Sequence, residues 1–346
     1  MPYRVGERAC DHDEASAPTD LASAGRGSSG GPGRVVSVAS SRLFLSEGDV
    51  EALLSPADAT AAVEESFHRL ARGSVDNRPR ERLALPGGQY AVMACVDAEL
   101  GYAGIKTYAW TTGGTAFVVL LFSIEAGVFE AVIEADKLGQ LRTGAASAVA
   151  ARHLARGDAQ SLGVIGCGWQ AASQVACIRA AVPTLERVVA FCRHPERLAD
   201  FCRANGCEAA GSSMEASAQD IVVTVTTSKD PVLRGEWLRE GALVCAVGAN
   251  DASRRELDNA VLERAAFVCC DSRVQAALES GDLIEPVEQG VLDWLEVHEL
   301  QQVVAGELEG RAAVDDVIVF KSNGIAAWDL AAGARVVELA RERGDN

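Results

Sequence analysis

The sequence predicts an α/β protein in which an antiparallel half precedes a doubly wound, parallel half, and three features lead to that prediction. Four short apolar runs between residues 89 and 135 are separated by glycine-containing turns. After residue 160, short apolar runs alternate with helical segments, as in a parallel sheet buried on both faces. Segment 323–343 carries a helical apolar stripe, so we expect it to fold back onto the first half.

Composition limits the classes of partner and location. The chain has 346 residues, and at roughly 150 residues per domain we expect about two domains. Its net charge of −17 argues against nucleic acid or an anionic membrane surface as the main partner, because both need a basic face. No apolar run approaches a membrane span, and the first residues contain no apolar signal-peptide stretch. We therefore expect a cytoplasmic protein.

The cysteines and histidines indicate neither disulfides nor a metal site. Most of the ten cysteines lie in or beside apolar runs, where a free cysteine behaves as a small hydrophobic residue. No CxxC occurs, and the five histidines are scattered without metal-ligand spacing.

The first half is predicted element by element. Residues 1–42 are expected to be a disordered, low-complexity tail, because the stretch 15–33 is rich in Ala, Ser, Gly and Pro. Order begins near Leu43, a helix start is predicted at Ser46, and residues 57–71 have helical apolar spacing. The four runs QYAVMACV, YAGIKTYAW, AFVVLLFSI and VFEAVIEA predict the antiparallel sheet.

The second half is predicted to alternate strands and helices. It begins with an alanine-rich helix over 145–156, and helices follow near 170–181 and 195–204. The strands are LGVIG, RVVAFC, DIVVTVT, ALVCAVG and AAFVCCD. This order predicts a Rossmann-type doubly wound sheet.

A dinucleotide-binding turn follows the first of these strands. Gly166 and Gly168, with Ala171, fit G-x-G-x-x-A between a strand and a helix. The first glycine permits the tight turn, the second lets the backbone approach a pyrophosphate, and the helix N-terminus attracts the anion.

The next strand end bears on which nicotinamide nucleotide is bound. Cys192 stands where an NAD-selective site usually has Asp or Glu, and Arg193 can pair with a 2′-phosphate, so we favour NADP(H) over NAD(H). Thr226, Thr227 and Ser228 lie at the carboxyl edge of a later strand and are further candidate cofactor contacts.

With these motifs in place, the sequence resembles the ornithine cyclodeaminase/mu-crystallin family over about residues 43–343. The matching blocks are Asn77–Arg82, Gly104–Thr107, Ile133–Ala146, Gly166–Gln170, Val247–Asn250, Arg255–Asp258 and Phe320–Gly324. The resemblance implies a substrate-binding and dimerisation domain of α+β type, formed by residues 43–144 and 323–346. It implies a Rossmann domain over 145–322, and a homodimer.

The resemblance also assigns the substrate site. Arg80, Lys106 and Arg142 match the family's basic residues around the substrate carboxylate. These cations in an acidic chain suit a small anionic amino or imino acid: arginine offers a bidentate fork, and a desolvated lysine can also deliver a proton. Asn323 and Gly324 are added as substrate contacts. Candidate cofactor contacts added by the matching blocks are Thr143, Trp169, Gln170, Val247 and Gly248.

The main departure from the family lies in the loop after ALVCAVG. The cyclodeaminases proper carry an acid/base aspartate at the position of Asn250, and an amide cannot accept a proton at neutral pH. Asp251 is next along the loop, but a shift of one residue usually points a side chain elsewhere. Asn250 and Asp251 are nevertheless both kept as candidate catalytic positions, beside Lys106.

The leading hypothesis is therefore an NAD(P)H-dependent reductase of a small, possibly cyclic, α-imino acid (ketimine). A protonated imine is already an electrophile, so this reaction needs no carboxylate at position 250. The alternatives are an alanine-type amino-acid dehydrogenase, an ornithine or lysine cyclodeaminase with catalytic NAD, and a non-catalytic, crystallin-like NADPH-binding protein. Asp329, on the predicted last helix, reaches the pocket only if that helix folds back.

Overall fold

A computed structural model describes residues 42–344 and contains a seven-stranded and an eight-stranded sheet. Strands β1 to β15 are, in chain order, Leu43–Leu45, Val75–Asn77, Glu81–Leu85, Gly88–Asp97, Tyr102–Thr111, Gly114–Ser123, Val128–Glu134, Ser161–Ile165, Arg187–Phe191, Glu208–Ala209, Ile221–Thr224, Leu243–Ala246, Ala265–Cys270, Val297–Glu299 and Val317–Lys321. Helices α1 to α11 are Glu47–Leu53, Pro56–Ala71, Asp136–Leu154, Trp169–Ala181, Pro195–Asn205, Ser213–Ser217, Asn259–Arg264, Arg273–Glu279, Gly281–Glu288, Leu300–Val304 and Ala326–Arg343.

The seven-stranded sheet is the predicted antiparallel half. Its order is β1-β7-β6-β5-β4-β2, and β3 also pairs with β4. Every pairing is antiparallel except that of β1 with β7. The four predicted runs are β4 to β7, so that prediction is confirmed.

The last helix folds back onto this sheet. Helix α11 packs against β4, β5, β6 and α2. The ring of Trp328 lies edge-on to that of Phe67, with the centroids 5.3 Å apart. Along β4, Ala91, Met93 and Cys95 are buried, as expected for alternate residues that face a covering layer. The fold-back carries Asp329 to the sheet's inner face.

The eight-stranded sheet is parallel throughout and confirms the doubly wound prediction. Its order is β10-β9-β8-β11-β12-β15-β13-β14. Strand β15, which joins the sheet between β12 and β13, was not among the predicted strands. Residues 317–320 are a short continuous apolar run, and all five residues of β15 are buried, as is typical of an inner strand of a parallel sheet.

Helix α3 is longer than predicted. The helix expected from residue 145 begins at Asp136 and runs to Leu154. The expected domain boundary between residues 144 and 145 therefore falls inside one continuous helix. This helix packs against α2, α4 and β12. The described residues 42–344 belong to a single compact unit.

Three further observations apply to residues 42–344. No helix among them is long and apolar enough to cross a membrane. No group of three His, Cys, Asp or Glu side chains there is arranged to hold a metal ion. The nine cysteines of this range are free. The expected tail, residues 1–42, lies outside the described residues except for Arg42.

Candidate active site

The turn between β8 and α4 has the geometry of a dinucleotide-binding loop. Gly166 has φ +118°, and a Cβ there would lie 2.3 Å from the carbonyl oxygen of Val225. Gly168 is the N-cap of α4, and a Cβ on it would meet no atom within 4 Å. The first glycine is therefore required by the chain, whereas the second leaves open space at a helix N-terminus. A pyrophosphate fits that arrangement.

The neighbouring candidates lie around this turn. Trp169 is 53% exposed at the start of α4, and Lys137 Nζ lies 5.4 Å from its ring centroid. Gln170 has a buried side-chain oxygen without a hydrogen-bond partner among the described residues. The Thr143 hydroxyl donates to the Gly139 carbonyl at 2.8 Å, within α3.

The end of β9 carries no carboxylate. The half-buried Cys192 thiol donates to the His194 carbonyl at 3.4 Å. Arg193 is exposed, and no residue of the described chain forms a hydrogen bond or ion pair with its side chain. The Arg193 guanidinium is thus available to an anionic group.

Glu256 holds the two loops that follow β11 and β12. The amide and the hydroxyl of Thr226 donate to its Oε1 at 2.6 and 2.8 Å, and the Gly248 amide donates to its Oε2 at 2.7 Å. A Cβ at Gly248 would lie 2.3 Å from the Thr226 nitrogen, so only glycine fits there. Val247 and Ser228 flank these contacts, and the Ser228 hydroxyl donates to Asp230 at 2.7 Å.

The candidate hydroxyls are therefore used unequally. The hydroxyls of Thr226 and Ser228 fix the loop, while Thr227 is exposed.

Glu256 is fully buried, and burial raises its pKa above the usual value. The nearby Asp282 carboxylate acts in the same direction. Lys321 Nζ lies 3.0 Å from Asp282. Sequence reasoning included Glu256 only as part of a matching block and gave it no role.

Lys106, Arg142 and Asp329 meet between the antiparallel sheet, α3 and α11. Asp329 Oδ1 accepts hydrogen bonds from Lys106 Nζ at 2.9 Å and from Arg142 Nε at 3.0 Å. All three side chains are buried. Burial, followed by the charge of Arg142, lowers the pKa of Lys106 to about 8. We call these three residues, together with Asn323, the polar cluster.

Several buried polar atoms of the polar cluster have no hydrogen-bond partner among the described residues. They are Arg142 Nη1, Asp329 Oδ2, and both amide atoms of Asn323. Gly324 has φ +78°, and a Cβ at this position would clash with Arg142, at 2.5 Å from Nη1. The absence of a side chain at position 324 therefore leaves room for the Arg142 guanidinium. Unpaired buried polar atoms are rare in folded proteins, so the polar cluster has the character of a site that a polar ligand completes.

Arg80 belongs to the same region, but its donors are engaged. Its Nη1 donates to Glu279 at 2.6 Å, its Nη2 donates to the carbonyls of Asn323 at 2.9 Å and Gly324 at 3.2 Å, and its Nε approaches Met93 Sδ at 3.4 Å. Glu279 on α8 also pairs with Arg82. Arg80 therefore connects the segment before β3 to helix α8 and to the segment after β15, as well as lying beside the polar cluster. No local signal in the sequence indicated Glu279.

Asn250 and Asp251 lie outside the polar cluster. Asn250 is exposed, and its carbonyl accepts from Arg82 at 2.8 Å. Asp251 Oδ1 accepts from the amide and the hydroxyl of Ser253, and the hydroxyl hydrogen bond is the main reason that the pKa of Asp251 is lowered. Asp251 thus stabilises its own loop.

Comparison with known proteins places this architecture in one family. The sequence profile of the ornithine cyclodeaminase/mu-crystallin family matches residues 40–344. The iminosuccinate reductase of Paracoccus denitrificans is 31% identical over 316 residues, which cover 87% of this chain and 98% of that enzyme.

Two solved structures are similar over most of their length. An archaeal alanine dehydrogenase dimer with bound NAD has a TM-score of 0.82 and 32% identity, covering 88% of this chain and 97% of that one. The Delta(1)-pyrroline-2-carboxylate reductase of Thermococcus litoralis, in complex with NADH and L-proline, has a TM-score of 0.82 and 29% identity, covering 87% and 98%.

Proposed function

This chain belongs to the ornithine cyclodeaminase/mu-crystallin family, and from that premise we propose that it is a nicotinamide-dependent reductase of small α-imino acids, cyclic ketimines included. The observation that carries the proposal is the buried Lys106–Asp329–Arg142 arrangement with unpaired donor and acceptor atoms. The iminosuccinate reductase, the alanine dehydrogenase and the Delta(1)-pyrroline-2-carboxylate reductase described above act on C=N or CH–NH bonds, which supports the same chemistry here.

The substrate carboxylate binds to Arg142 and Lys106. Arg142 Nη1 is unpaired, and Lys106 uses one ammonium hydrogen for Asp329 in the observed contacts. Arg80 borders this site and is held by Glu279, so it contacts the carboxylate only if it exchanges one of its present partners. Asn323 and Gly324 line the same side, and their backbone is fixed by Asp271, whose Oδ2 accepts both amides at 2.7 and 2.6 Å.

Lys106 supplies the proton that the imine nitrogen needs. With a pKa of about 8, its ammonium form is present at neutral pH, and it gives up a proton more readily than an exposed lysine does. The reduced nicotinamide, when bound, supplies the hydride to the C=N carbon. The protein's contribution is to hold the carboxylate and the nitrogen in a fixed orientation at the carboxyl edge of the parallel sheet.

The cofactor is held by the glycine turn and the loops fixed by Glu256. Gly166, Gly168 and the N-terminus of α4 take the pyrophosphate, and the loops at Thr226 and Gly248 border the nicotinamide end. We favour NADP(H), because Cys192 replaces a ribose-binding carboxylate and Arg193 is available to a 2′-phosphate. Two similar structures contain NAD or NADH, so this preference has to be measured directly.

The outer face of the antiparallel sheet supports a homodimer. Phe122 and Val96 are exposed there at 43% and 44%. Apolar area of this kind on a sheet face is typical of a protein–protein interface. One similar structure is a dimer.

Three other functions remain to be distinguished. An alanine-type dehydrogenase uses the same carboxylate site with a 2-oxo acid and ammonia, and one similar structure carries that name. A cyclodeaminase is disfavoured by Asn250, since no carboxylate stands at that position. A purely binding protein has no need to keep a buried Lys106–Arg142 site.

The test follows the loss of reduced-nicotinamide absorbance with NADPH or NADH and a cyclic ketimine carboxylate. A parallel reaction contains ornithine or lysine with NAD and is assayed for ammonia. Ketimine-dependent oxidation that Lys106→Met abolishes supports the proposal. Ammonia release without net cofactor change contradicts it and assigns the chain to the cyclodeaminases.

A further inference from the structure

One carboxylate oxygen at the centre of the polar cluster is unused. Asp329 Oδ1 accepts from both Lys106 and Arg142, whereas Oδ2, on a side chain only 1% exposed, accepts no hydrogen bond from the described residues. A buried carboxylate oxygen without a donor is unfavourable, so a donor from the ligand is expected. No role for this oxygen follows from the carboxylate-binding scheme, in which only cations are needed.

The neighbours of Asp329 indicate which ligand atom would lie near its Oδ2. Arg142 donates to Asp329 through Nε, and its Nη1 on the same planar guanidinium is unpaired. In an α-imino or α-amino acid, the nitrogen and the carboxylate are attached to the same carbon. A substrate carboxylate on Arg142 Nη1 and Lys106 therefore brings its nitrogen close to the side chain that bridges those two cations.

We propose that Asp329 Oδ2 is the nitrogen-binding atom of the site: it accepts a hydrogen bond from the N–H of the iminium or of the amine product. This assignment rests on the proposed function and specifies the substrate class, namely acids with a protonated nitrogen on the α-carbon. The carboxylate faces the two cations and the cationic nitrogen faces Asp329, so each charge meets one of opposite sign.

The same arrangement discriminates against ligands without that nitrogen. A 2-oxo acid or a carbocyclic acid can bind Lys106 and Arg142 through its carboxylate, but it offers no N–H donor to Asp329 Oδ2. Sites reject an analogue most strongly when its binding leaves a buried polar atom unpaired. The amide oxygen of Asn323 is the rival acceptor, since it also lacks a partner. A cationic N–H is bound more strongly by a carboxylate than by a neutral amide.

The experiment compares matched ligands by calorimetry on the full chain with saturating nicotinamide nucleotide. The pairs are L-proline with cyclopentanecarboxylate, and L-alanine with propionate. We expect the native chain to bind the amino acid of at least one pair roughly 10- to 100-fold more tightly than its partner, the value of one charge-assisted hydrogen bond. In Asp329→Asn this preference falls to about threefold or less, while the nitrogen-free acid binds at least as well as before.

Asn323→Ala is the matched control, and it is expected to keep the preference. The proposal is overturned if the native chain shows no preference, if Asp329→Asn retains it, or if Asn323→Ala alone removes it. Should Asp329→Asn fail to fold, Asp329→Glu replaces it, because glutamate keeps the charge but moves the carboxylate oxygens by one methylene. In Asp329→Glu we expect the preference for the amino acid to fall at least threefold. An unchanged preference overturns the proposal.

These outcomes are separable from the fate of the proposed function. A native chain that prefers the amino acids but reduces no C=N carboxylate removes the reductase assignment and leaves the nitrogen site standing. A chain that reduces ketimines while Asp329→Asn binds and discriminates as the native chain does removes only the assignment of Asp329.

Discussion

The titration of Lys106 gives the reaction a specific pH dependence. Burial and the neighbouring Arg142 lower the pKa of this lysine to about 8. If its ammonium form is the proton donor, the reductive rate at saturating substrate is constant well below pH 8 and falls about tenfold for each pH unit well above it. At pH 9 about one tenth of the plateau rate remains, whereas a lysine with an ordinary pKa of about 10.4 would still be almost wholly protonated. Oxidation of the amine requires the deprotonated form, so its rate rises over the same range.

The assay is the initial rate of nicotinamide oxidation from pH 6 to 10 in buffers of constant ionic strength. Titration of the imine substrate also contributes an alkaline decline, so the informative comparison is with Lys106→Arg. Arginine keeps the positive charge and does not deprotonate in this range. We expect Lys106→Arg to be slower and to lose the part of the decline centred near pH 8. An identical decline in both proteins would refute the assignment of Lys106 as the proton donor.

Three further changes probe the rest of the site. In Glu256→Gln the loops after β11 and β12 lose a shared carboxylate, so we expect the dissociation constant for the nicotinamide nucleotide, measured by fluorescence titration, to rise about tenfold, equivalent to about 1.4 kcal/mol; unchanged affinity would contradict this. Arg193→Asp should reverse the ratio of kcat/KM values for NADPH and NADH in favour of NADH, and an unaltered ratio would make Arg193 an ordinary surface residue. Gly324→Ala places a methyl group against Arg142 at a positive φ, so substrate KM should rise about tenfold while nucleotide affinity is kept; a loss of both would indicate general unfolding.

The parts of the fold that were predictable are those with a local cause. The alternating strands and the turn at Gly166 follow from residue periodicity and from glycine chemistry, and both are observed. The start of α3 was missed because its N-terminus is not capped locally. The Glu47 carboxylate, 89 residues earlier, accepts the amide of Asp136 and also that of Lys137.

The site shows the same division between local and distant causes. Lys106 and Arg142 could be chosen from the matching blocks, but their shared partner Asp329 is 223 and 187 residues away in the chain and reaches them only because α11 folds back. The pairing of Arg80 with Glu279, across 199 residues, is equally invisible in the sequence. That contact changes Arg80 from an expected free carboxylate ligand into a side chain that also connects the antiparallel half to helix α8.

Hydride transfer to an imine carbon can be followed directly with a deuterium label. The full chain is incubated with a cyclic ketimine carboxylate and NADPH or NADH that carries deuterium at the transferable position, and the amino acid formed is analysed by mass spectrometry. We expect one deuterium on the α-carbon of the product for each nicotinamide oxidised, and no label transfer with Lys106→Met. An amino acid without deuterium, or ammonia release from ornithine or lysine with the nicotinamide unchanged, would rule out hydride transfer to an imine carbon as the reaction of this chain.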